Sequence, residues 1–319
     1  MNNFIDFILC AIPVGMTFLY GAVGEIIVEK AGHLNLGIPG IMCMGGAGGC
    51  VALQMMAGKG WHPILVVAIS ILASFLVGAL MGAIYSFLTV SLRANQNVTG
   101  LVMTIFGVAL TNFIMLHVSW INCKYALEYF RYPFISKDGS WIYCGCMVYL
   151  AIIIALVASF VLSRTRIGLN LRAVGESPAT ADAAGINVTR YKYIATCVGC
   201  GIAALGGLFY IMDYSGSQEA YKSIEPMGWL AVALVIFTLW RPNLTIIGAT
   251  FFGALYIASS FLPTFFPNIF DSFGLKLKPL LNMIPYVVTI IVLIVTSIRN
   301  KKDNQAPAGL GLPYFREER

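Results

Sequence analysis

The charged side chains of this sequence are concentrated in one polar stretch that lies between two long apolar segments. The stretch covers residues 164–192 and reads RTRIGLNLRAVGESPATADAAGINVTRYK. Its charged residues are Arg164, Arg166, Arg172, Glu176, Asp182, Arg190 and Lys192. A single arginine or aspartate at the centre of a membrane helix costs about 2.5–3.5 kcal/mol. We therefore expect the stretch to lie outside the hydrocarbon core, where its charges can form ion pairs.

A short helix is expected inside this stretch, over residues 177–184. Ser177 is suited to cap the helix, and Pro178 is favoured at the first helical position. The following alanines favour helix, and Gly185 is placed to end it. About two turns of rigid helix on the membrane face would suit docking to a soluble partner. The same features also fit an ordinary structured loop, and these residues alone do not decide between the two.

Motifs for catalysis or metal binding are not found in the sequence. It has no G-x-x-x-x-G-K-[ST], no H-E-x-x-H and no G-x-S-x-G motif. The three histidines, at positions 33, 62 and 117, are far apart, and the eight cysteines show no ligand spacing. We expect no catalytic residue, no metal site and no ATP bound through a P-loop. Glu25 and Asp213 lie near the ends of apolar segments, and we expect them to anchor those ends at the membrane interface.

Composition places the chain among polytopic α-helical membrane proteins. Apolar residues make up 59% of the sequence, charged residues only 11%, and the mean hydropathy is +0.82. We expect an all-α fold with about eight transmembrane helices in a domain of residues 1–298, followed by a soluble tail at 299–319. The net charge of +6 requires no nucleic-acid partner, because the basic residues collect in loops and in the tail, as membrane topology requires.

One membrane segment is expected to be broken or re-entrant near residues 32–49. The sequence there, GHLNLGIPGIMCMGGAGG, is rich in glycine and contains Pro39. Unwound backbone at membrane depth is tolerated inside protein or beside a water-filled cavity. The fourth apolar segment also carries polar residues. Candidates for lining a translocation pathway are Asn35, Gly37, Gly40, Asn97, Thr99 and Asn112, with helix packing as the alternative role for each.

The distribution of basic residues predicts the orientation. If the 164–192 stretch is cytoplasmic, Arg93, Arg241 and the basic tail are cytoplasmic as well. The loops at 118–141, 213–226 and 263–281, which are mixed in charge, then lie outside. The positive-inside rule favours this arrangement over its inverse. It places the N-terminus outside and the C-terminus inside.

Several motifs resemble those of permease subunits of ATP-binding cassette (ABC) importers for nucleosides and simple sugars. This group belongs to the broader family that includes the ribose and branched-chain amino-acid permeases. The matching segments are EKAGHLNLGIPGIMCMGGAGG, RANQNVTG, TRIGLNLRAVGESPATADAAGINVTRYK, GIAALGGLFY and the terminal LGLPYFREER. They run in matching order from about residue 20 to the end. The sequence departs from the pattern at Pro39, where the family commonly has Glu, and at Trp229 and Leu230, where it usually has Arg and Phe.

The resemblance implies one transmembrane subunit of an importer in the bacterial cytoplasmic membrane, and not an enzyme. Its partners would be a homologous second permease, a cytoplasmic ABC ATPase and an extracytoplasmic substrate-binding protein. The ATPase would bind ATP and magnesium and dock on the helix at 177–184, which we call the coupling helix. No cofactor is expected on this chain. The coupling residues expected are Arg172, Gly175, Glu176, Ala184 and Gly185.

Two other classes of membrane protein were compared with the permease subunit. A stand-alone secondary transporter needs acidic residues in mid-span for ion coupling, and a membrane enzyme needs clustered Asp, His or Arg at one face. The sequence shows neither pattern clearly. The permease subunit is the favoured hypothesis, with nucleosides as cargo carried by alternating access and a ribose-like simple sugar as the alternative cargo.

Overall fold

The structure is a computed structural model that describes residues 3–131, 145–265, 278–299, 306–312 and 314. The regular elements in these residues are helices. The α-helices are α1 (Asn3–Lys30), α2 (Ile38–Met56), α3 (Pro63–Ser86), α4 (Gln96–His117), α5 (Trp120–Lys124), α6 (Leu127–Phe130), α7 (Cys146–Arg164), α8 (Arg166–Glu176), α9 (Pro178–Ala183), α10 (Val188–Leu208), α11 (Ile224–Phe237), α12 (Pro242–Phe265), α13 (Lys278–Leu281) and α14 (Ile284–Arg299). The π-helices Phe87–Ser91 and Phe209–Ser215 extend α3 and α10, and the 3₁₀-helix Gln218–Ser223 precedes α11.

Eight helical segments among the described residues are long and apolar enough to cross a membrane. This confirms the expected helical membrane fold. Helix α14 is shorter, with 16 residues. The tail nevertheless lies on the face of the protein where α1 ends and α2 begins, since Gly311 donates a backbone hydrogen bond to Gly32. Helix α12 starts on that same face, since Trp240 directly before it donates a hydrogen bond to Glu29 near the end of α1. Helix α14 must therefore also cross to return the chain there, which adds a ninth crossing to the eight above among the described residues.

We call this face, which carries α8, α9 and the described tail residues, the loop face. Helix α1 begins on the opposite face, so the first and last described residues, Asn3 and Tyr314, lie on opposite faces. Which face is cytoplasmic stays a prediction from the basic residues. Parts of the predicted loops at 118–141 and 263–281 and of the tail at 299–319 lie outside the described residues.

The break predicted near residues 32–49 is present, but it is confined to residues 31–37. Helix α2 runs without interruption from Ile38 to Met56, through the whole glycine-rich part. Pro39 lies in the first turn of α2, where a missing backbone N–H leaves no helical hydrogen bond unmade. The glycines in α2 therefore serve its packing, and the break in the chain lies just before them.

Three helices, α1, α2 and α10, form the buried centre, and α3, α4, α7, α11 and α12 surround them. Glycines allow the central backbones to approach closely. A Cβ on Gly45 of α2 would overlap the backbone of Ala204 in α10, and one on Gly24 of α1 would overlap the backbone of Gly199. Small residues at helix contacts are the usual means of packing helices in membranes, where hydrophobic burial adds little.

Candidate functional site

The 164–192 stretch folds into two capped helices and the first turn of a third. The Thr165 hydroxyl accepts a hydrogen bond from Gly168 N–H at 3.1 Å at the start of α8, and the Ser177 hydroxyl accepts one from Thr180 N–H at 3.4 Å at the start of α9. Gly185 follows α9 in the left-handed region, with φ of +83°. The predicted short helix, its cap and its terminating glycine are confirmed.

Helix α8 was not predicted, although the sequence carries a signal for it. Its buried residues Gly168, Leu171, Val174 and Gly175 recur at intervals of three to four, the spacing of one helix face. Lys192 also differs from expectation: it lies in the first turns of α10 and is only 3% exposed. Its charge is kept from the hydrocarbon by the surrounding protein.

A small apolar core holds α9 in place. Val174 of α8, Ala181 of α9 and Val188 of α10 are buried against each other, and Tyr314 of the tail packs on them. A six-residue helix is unstable by itself, because the conformational entropy lost in forming its first turn exceeds the stabilisation from its few hydrogen bonds. Packing against α8 and α10 therefore keeps α9 as a fixed element on the loop face.

The outer side of α9 is an exposed surface of small residues. Ala179, Thr180, Ala183 and Ala184 are exposed, and so is Gly185 directly after them. Arg172 is exposed on the neighbouring α8. Of the five residues predicted for coupling, Arg172, Glu176, Ala184 and Gly185 are exposed on a surface that a partner can reach.

Gly175, in contrast, joins the loop to the membrane helices. It is buried, and a Cβ there would overlap the carbonyl oxygen of Lys30 at the end of α1. Gly32, with φ of +83°, lies against it. This glycine pair lets α8 touch the chain where α1 ends and the broken segment begins. Helix α8 is therefore in direct contact with that segment.

The described tail residues hydrogen-bond to both sides of the contact between Gly175 and Gly32. Gly309 N–H donates to Gly175 O at 2.9 Å, and Gly311 N–H donates to Gly32 O at 3.3 Å. The Glu176 carboxylate accepts a hydrogen bond from Ala308 N–H at 3.2 Å, and its predicted pairing with a partner stays a prediction. We call residues 306–312 and 314 the strap, because they run from the polar stretch to the broken segment.

The last described residue of the strap supports a measurable prediction. The Tyr314 hydroxyl donates a hydrogen bond to the Asp182 carboxylate at 2.8 Å. A typical hydrogen bond contributes about 1 kcal/mol, so its loss in Tyr314→Phe is expected to raise the population of the released tail roughly five-fold. Because carboxypeptidase cleaves the released tail, its rate of cleavage should rise by the same factor. Tyr125→Phe is the matched control, since it also removes one hydroxyl bond, to Leu53 O, on the opposite face. Equal cleavage of Tyr314→Phe and the unmodified protein would contradict the assigned bond.

Side chains from four helices hold the broken segment. Three backbone groups of residues 34–36 bond to polar side chains of α3 and α4, and the other contacts come from α1 and α10. The bonds are Tyr85 O–H to Leu34 O (2.7 Å), Leu34 N–H to Gln96 Oε1 (2.8 Å), Thr104 O–H to Leu36 O (2.8 Å), Asn35 N–H to Glu25 Oε1 (3.2 Å), and His33 Nδ1 with Thr196 Oγ1 (2.9 Å). Unwound backbone inside a membrane protein needs such partners.

The two acidic residues expected to anchor span ends at the interface have a different role, so that prediction was wrong. Glu25 is fully buried and binds the broken segment, and Glu29, one turn later, accepts a hydrogen bond from the Trp240 indole. Asp213 is also buried, and its carboxylate accepts a hydrogen bond from Met147 N–H at the start of α7. These acids satisfy backbone and side-chain donors inside the helix bundle.

The six residues predicted for the pathway divide between two places. Asn35 and Gly37 lie in the broken segment, where the Asn35 carboxamide accepts a hydrogen bond from Gly37 N–H at 2.9 Å. Gly40 packs against the backbone of Met103 and Thr104 in α4. Thr99 lies on the buried face of α4 with Gln96 and Gly100, whereas Asn97 and Asn112 lie on its exposed face. Their role in a pathway stays a prediction.

The departures from the family pattern lie near one contact between α2 and α11. Gly228 of α11 packs directly on Pro39, so a Cβ at Gly228 would overlap the proline ring and its Cα atom. Trp229 and Leu230 follow Gly228 in α11. The departing residues therefore lie at, or directly after, the point where α11 meets the start of α2.

A cavity of about 730 Å³ opens on the loop face between the starts of α4 and α10. Its lining includes His33, Arg93, Gln96, Gly185, Arg190 and Lys192. It thus connects the end of the coupling helix to the broken segment through a basic, polar space. In the part of the chain that the structure describes, no group of three His, Cys, Asp or Glu residues could hold a metal ion.

Comparison with known families decides the identity of this arrangement. Residues 7–296 match the family described as "Branched-chain amino acid transport system / permease component". The chain belongs to this permease family. It is therefore a multi-pass protein of the cytoplasmic membrane and a component of ABC transport, as the motifs predicted.

Individual relatives of this permease carry names for two kinds of cargo. The "Putative glucose ABC transporter permease protein TsgC13" of Haloferax volcanii is 30% identical over 96% of each chain. The "Nucleoside ABC transporter permease protein NupC" of Lactococcus lactis is 31% identical over 86% of this chain and 87% of its own. The "Guanosine ABC transporter permease protein NupQ" of Bacillus subtilis is 29% identical over 98% of both chains. No solved structure matches the chain.

Proposed function

We propose that this permease is one of two homologous membrane subunits of an ATP-driven importer and that a separate ATPase docks on its coupling helix. The observation that supports this most is the exposed surface of α9, which is held rigidly on the loop face of a member of this family. The loop face is then cytoplasmic. An extracytoplasmic binding protein delivers substrate to the opposite face, and ATP and magnesium are bound by the ATPase.

The contacts of the loop face suggest how nucleotide-driven motion reaches the membrane helices. The ATPase moves α9, and α8 moves with it because the two share one apolar core. Gly175 carries this motion to Gly32, which begins the broken segment, and the strap keeps the two glycines together. The segment then shifts α2 relative to α1, and the bundle alternates between outward-open and inward-open states.

Nucleosides are the proposed cargo. Two of the relatives compared above are named for nucleoside or guanosine transport. A simple sugar is the second candidate, because a relative of similar identity that covers as much of the chain is named as a glucose permease. The region around Pro39, Gly228 and Trp229 departs from the family pattern, and its shape will contribute to the choice between them.

Co-purification and uptake test the proposal in sequence. The tagged chain is extracted in mild detergent from its native host, and a second permease and an ATPase are expected to be identified with it. Uptake of labelled nucleosides and sugars by cells that express the complex then identifies the cargo. A chain that purifies alone, or only as a homo-oligomer, would contradict the proposed assembly and favour a stand-alone transporter.

A further inference from the structure

An apolar groove of about 750 Å³ lies beside the coupling loop, between α7, α8 and α10. Thirteen of its sixteen lining residues are apolar. The other three, Asn187, Arg190 and Tyr191, all lie at the start of α10. The volume is within the range of about 300–1,000 Å³ that is usual for ligand sites. The groove thus has one long apolar part and one polar end.

The length of the groove corresponds to one leaflet of a bilayer. Its α7 wall runs from Ile153 to Leu162, or about 14 Å at 1.5 Å per residue. Its α10 wall runs from Tyr191 to Ile202, or about 16 Å. Half of a hydrocarbon core of about 30 Å is about 15 Å. The polar end therefore lies at the depth of the headgroups on the loop face.

The charge at this end is basic. Arg190 lines the groove and is exposed, and Arg164 and Arg166, at the junction of α7 and α8, are exposed on the same face. The two acids of the coupling loop do not line the groove: Glu176 binds the strap backbone, and Asp182 accepts a hydrogen bond from Tyr314. The start of α10 adds the partial positive charge of a helix N-terminus. This environment favours an anionic headgroup.

We propose that the groove binds one anionic glycerophospholipid of the leaflet on the loop face. An acyl chain lies along α7 and α10, between Val157 and Val198, and the phosphate lies beside Arg190 and the first turn of α10. The groove adjoins α8 and the residues after α9, so a bound lipid supports the base of the coupling loop. This proposal concerns lipid binding alone and does not depend on the identity of the transported substrate.

Native mass spectrometry of the purified full chain tests the site. The protein is equilibrated with equal amounts of phosphatidylglycerol and phosphatidylcholine that carry the same acyl chains, and one phosphatidylglycerol per chain is expected to be retained preferentially. Arg190→Gln is expected to reduce this preference roughly five-fold, the equivalent of about 1 kcal/mol for one basic residue near a membrane surface. Val198→Phe fills the groove from a position that is 39% exposed, so it should reduce retention of both lipids.

Matched controls separate a specific site from general attraction to the membrane. Arg241→Gln removes an exposed basic residue before α12 on the same face, and Leu156→Phe enlarges an exposed residue of α7; neither residue lines the groove. Both controls are expected to retain lipid like the unmodified chain, and glycerol phosphate without acyl chains should not compete. An equal loss with Arg241→Gln, or full retention with Val198→Phe, would overturn the proposal. So would efficient photo-crosslinking of position 198 to a second permease in the assembled complex.

Discussion

Replacing Gly185 by proline is expected to reduce substrate uptake roughly ten-fold or more, while the protein remains inserted in the membrane. Gly185 has φ of +83°, whereas proline fixes φ near −65°. Its N–H also donates to Asp182 O at 3.0 Å, and proline has no N–H. The turn after α9 must then rearrange, so the docking surface moves relative to α8 and α10. A ten-fold effect corresponds to only about 1.4 kcal/mol of lost interaction.

Uptake by whole cells and ATP hydrolysis by the purified complex should respond differently to this variant. Hydrolysis is expected to continue, because in the proposed assembly the nucleotide site lies on the partner, while its coupling to uptake is lost. Gly58→Pro is the matched control, since Gly58 also has positive φ, of +71°, and also has open space around it, but lies after α2 on the opposite face. Normal uptake by Gly185→Pro would refute the coupling role of α9.

Replacing Gly45 by alanine is expected to destabilise the fold by about 1–3 kcal/mol, the usual cost of overpacking a close contact. Gly45 lies in α2 against α10, and a Cβ there would overlap both the carbonyl oxygen and the Cβ of Ala204. Backbone atoms in a central helix cannot move aside without separating α2 from α10. The free energy of unfolding, measured by titration with sodium dodecyl sulfate in mixed micelles, should fall accordingly.

Gly48→Ala provides a control on the same helix. A Cβ at Gly48 would meet only the side chain of Val77 in α3, at 2.7 Å from its Cγ2 atom, and that side chain can change rotamer. Both substitutions gain the same helix propensity from alanine, so the difference in unfolding free energy measures the packing contact. Similar stabilities for the two variants would show that α2 and α10 are not held as closely as the structure indicates.

Local chemistry made the coupling helix predictable. Its cap, its proline and its terminating glycine act on backbone groups within four residues, so Ser177, Pro178 and Gly185 specify the helix wherever the chain places it. Apolar composition likewise specified membrane helices, since few other structures satisfy the backbone in lipid. Helix α8 could have been predicted by the same local reasoning, from the spacing of Gly168, Leu171 and Val174.

The rotation of each helix about its own axis could not be read from composition. Asn97 and Asn112 are as polar as Asn35, yet they lie on the exposed face of α4, while Asn35 is buried in the broken segment. Glu25 lies near a span end in the sequence, but the fold encloses it completely. Burial of such residues depends on which neighbours surround them, and those neighbours come from distant parts of the chain.

By itself the sequence determined the class of protein, the family, the break before α2 and the coupling helix, because each depends on local pattern or on motif order. The tertiary structure alone decided that Gly175 touches Gly32, that the strap joins them, and that four helices hold residues 33–36. The partners in these contacts are mostly separated by tens of residues or more. No local periodicity records such pairings, since they arise only when all the helices pack together.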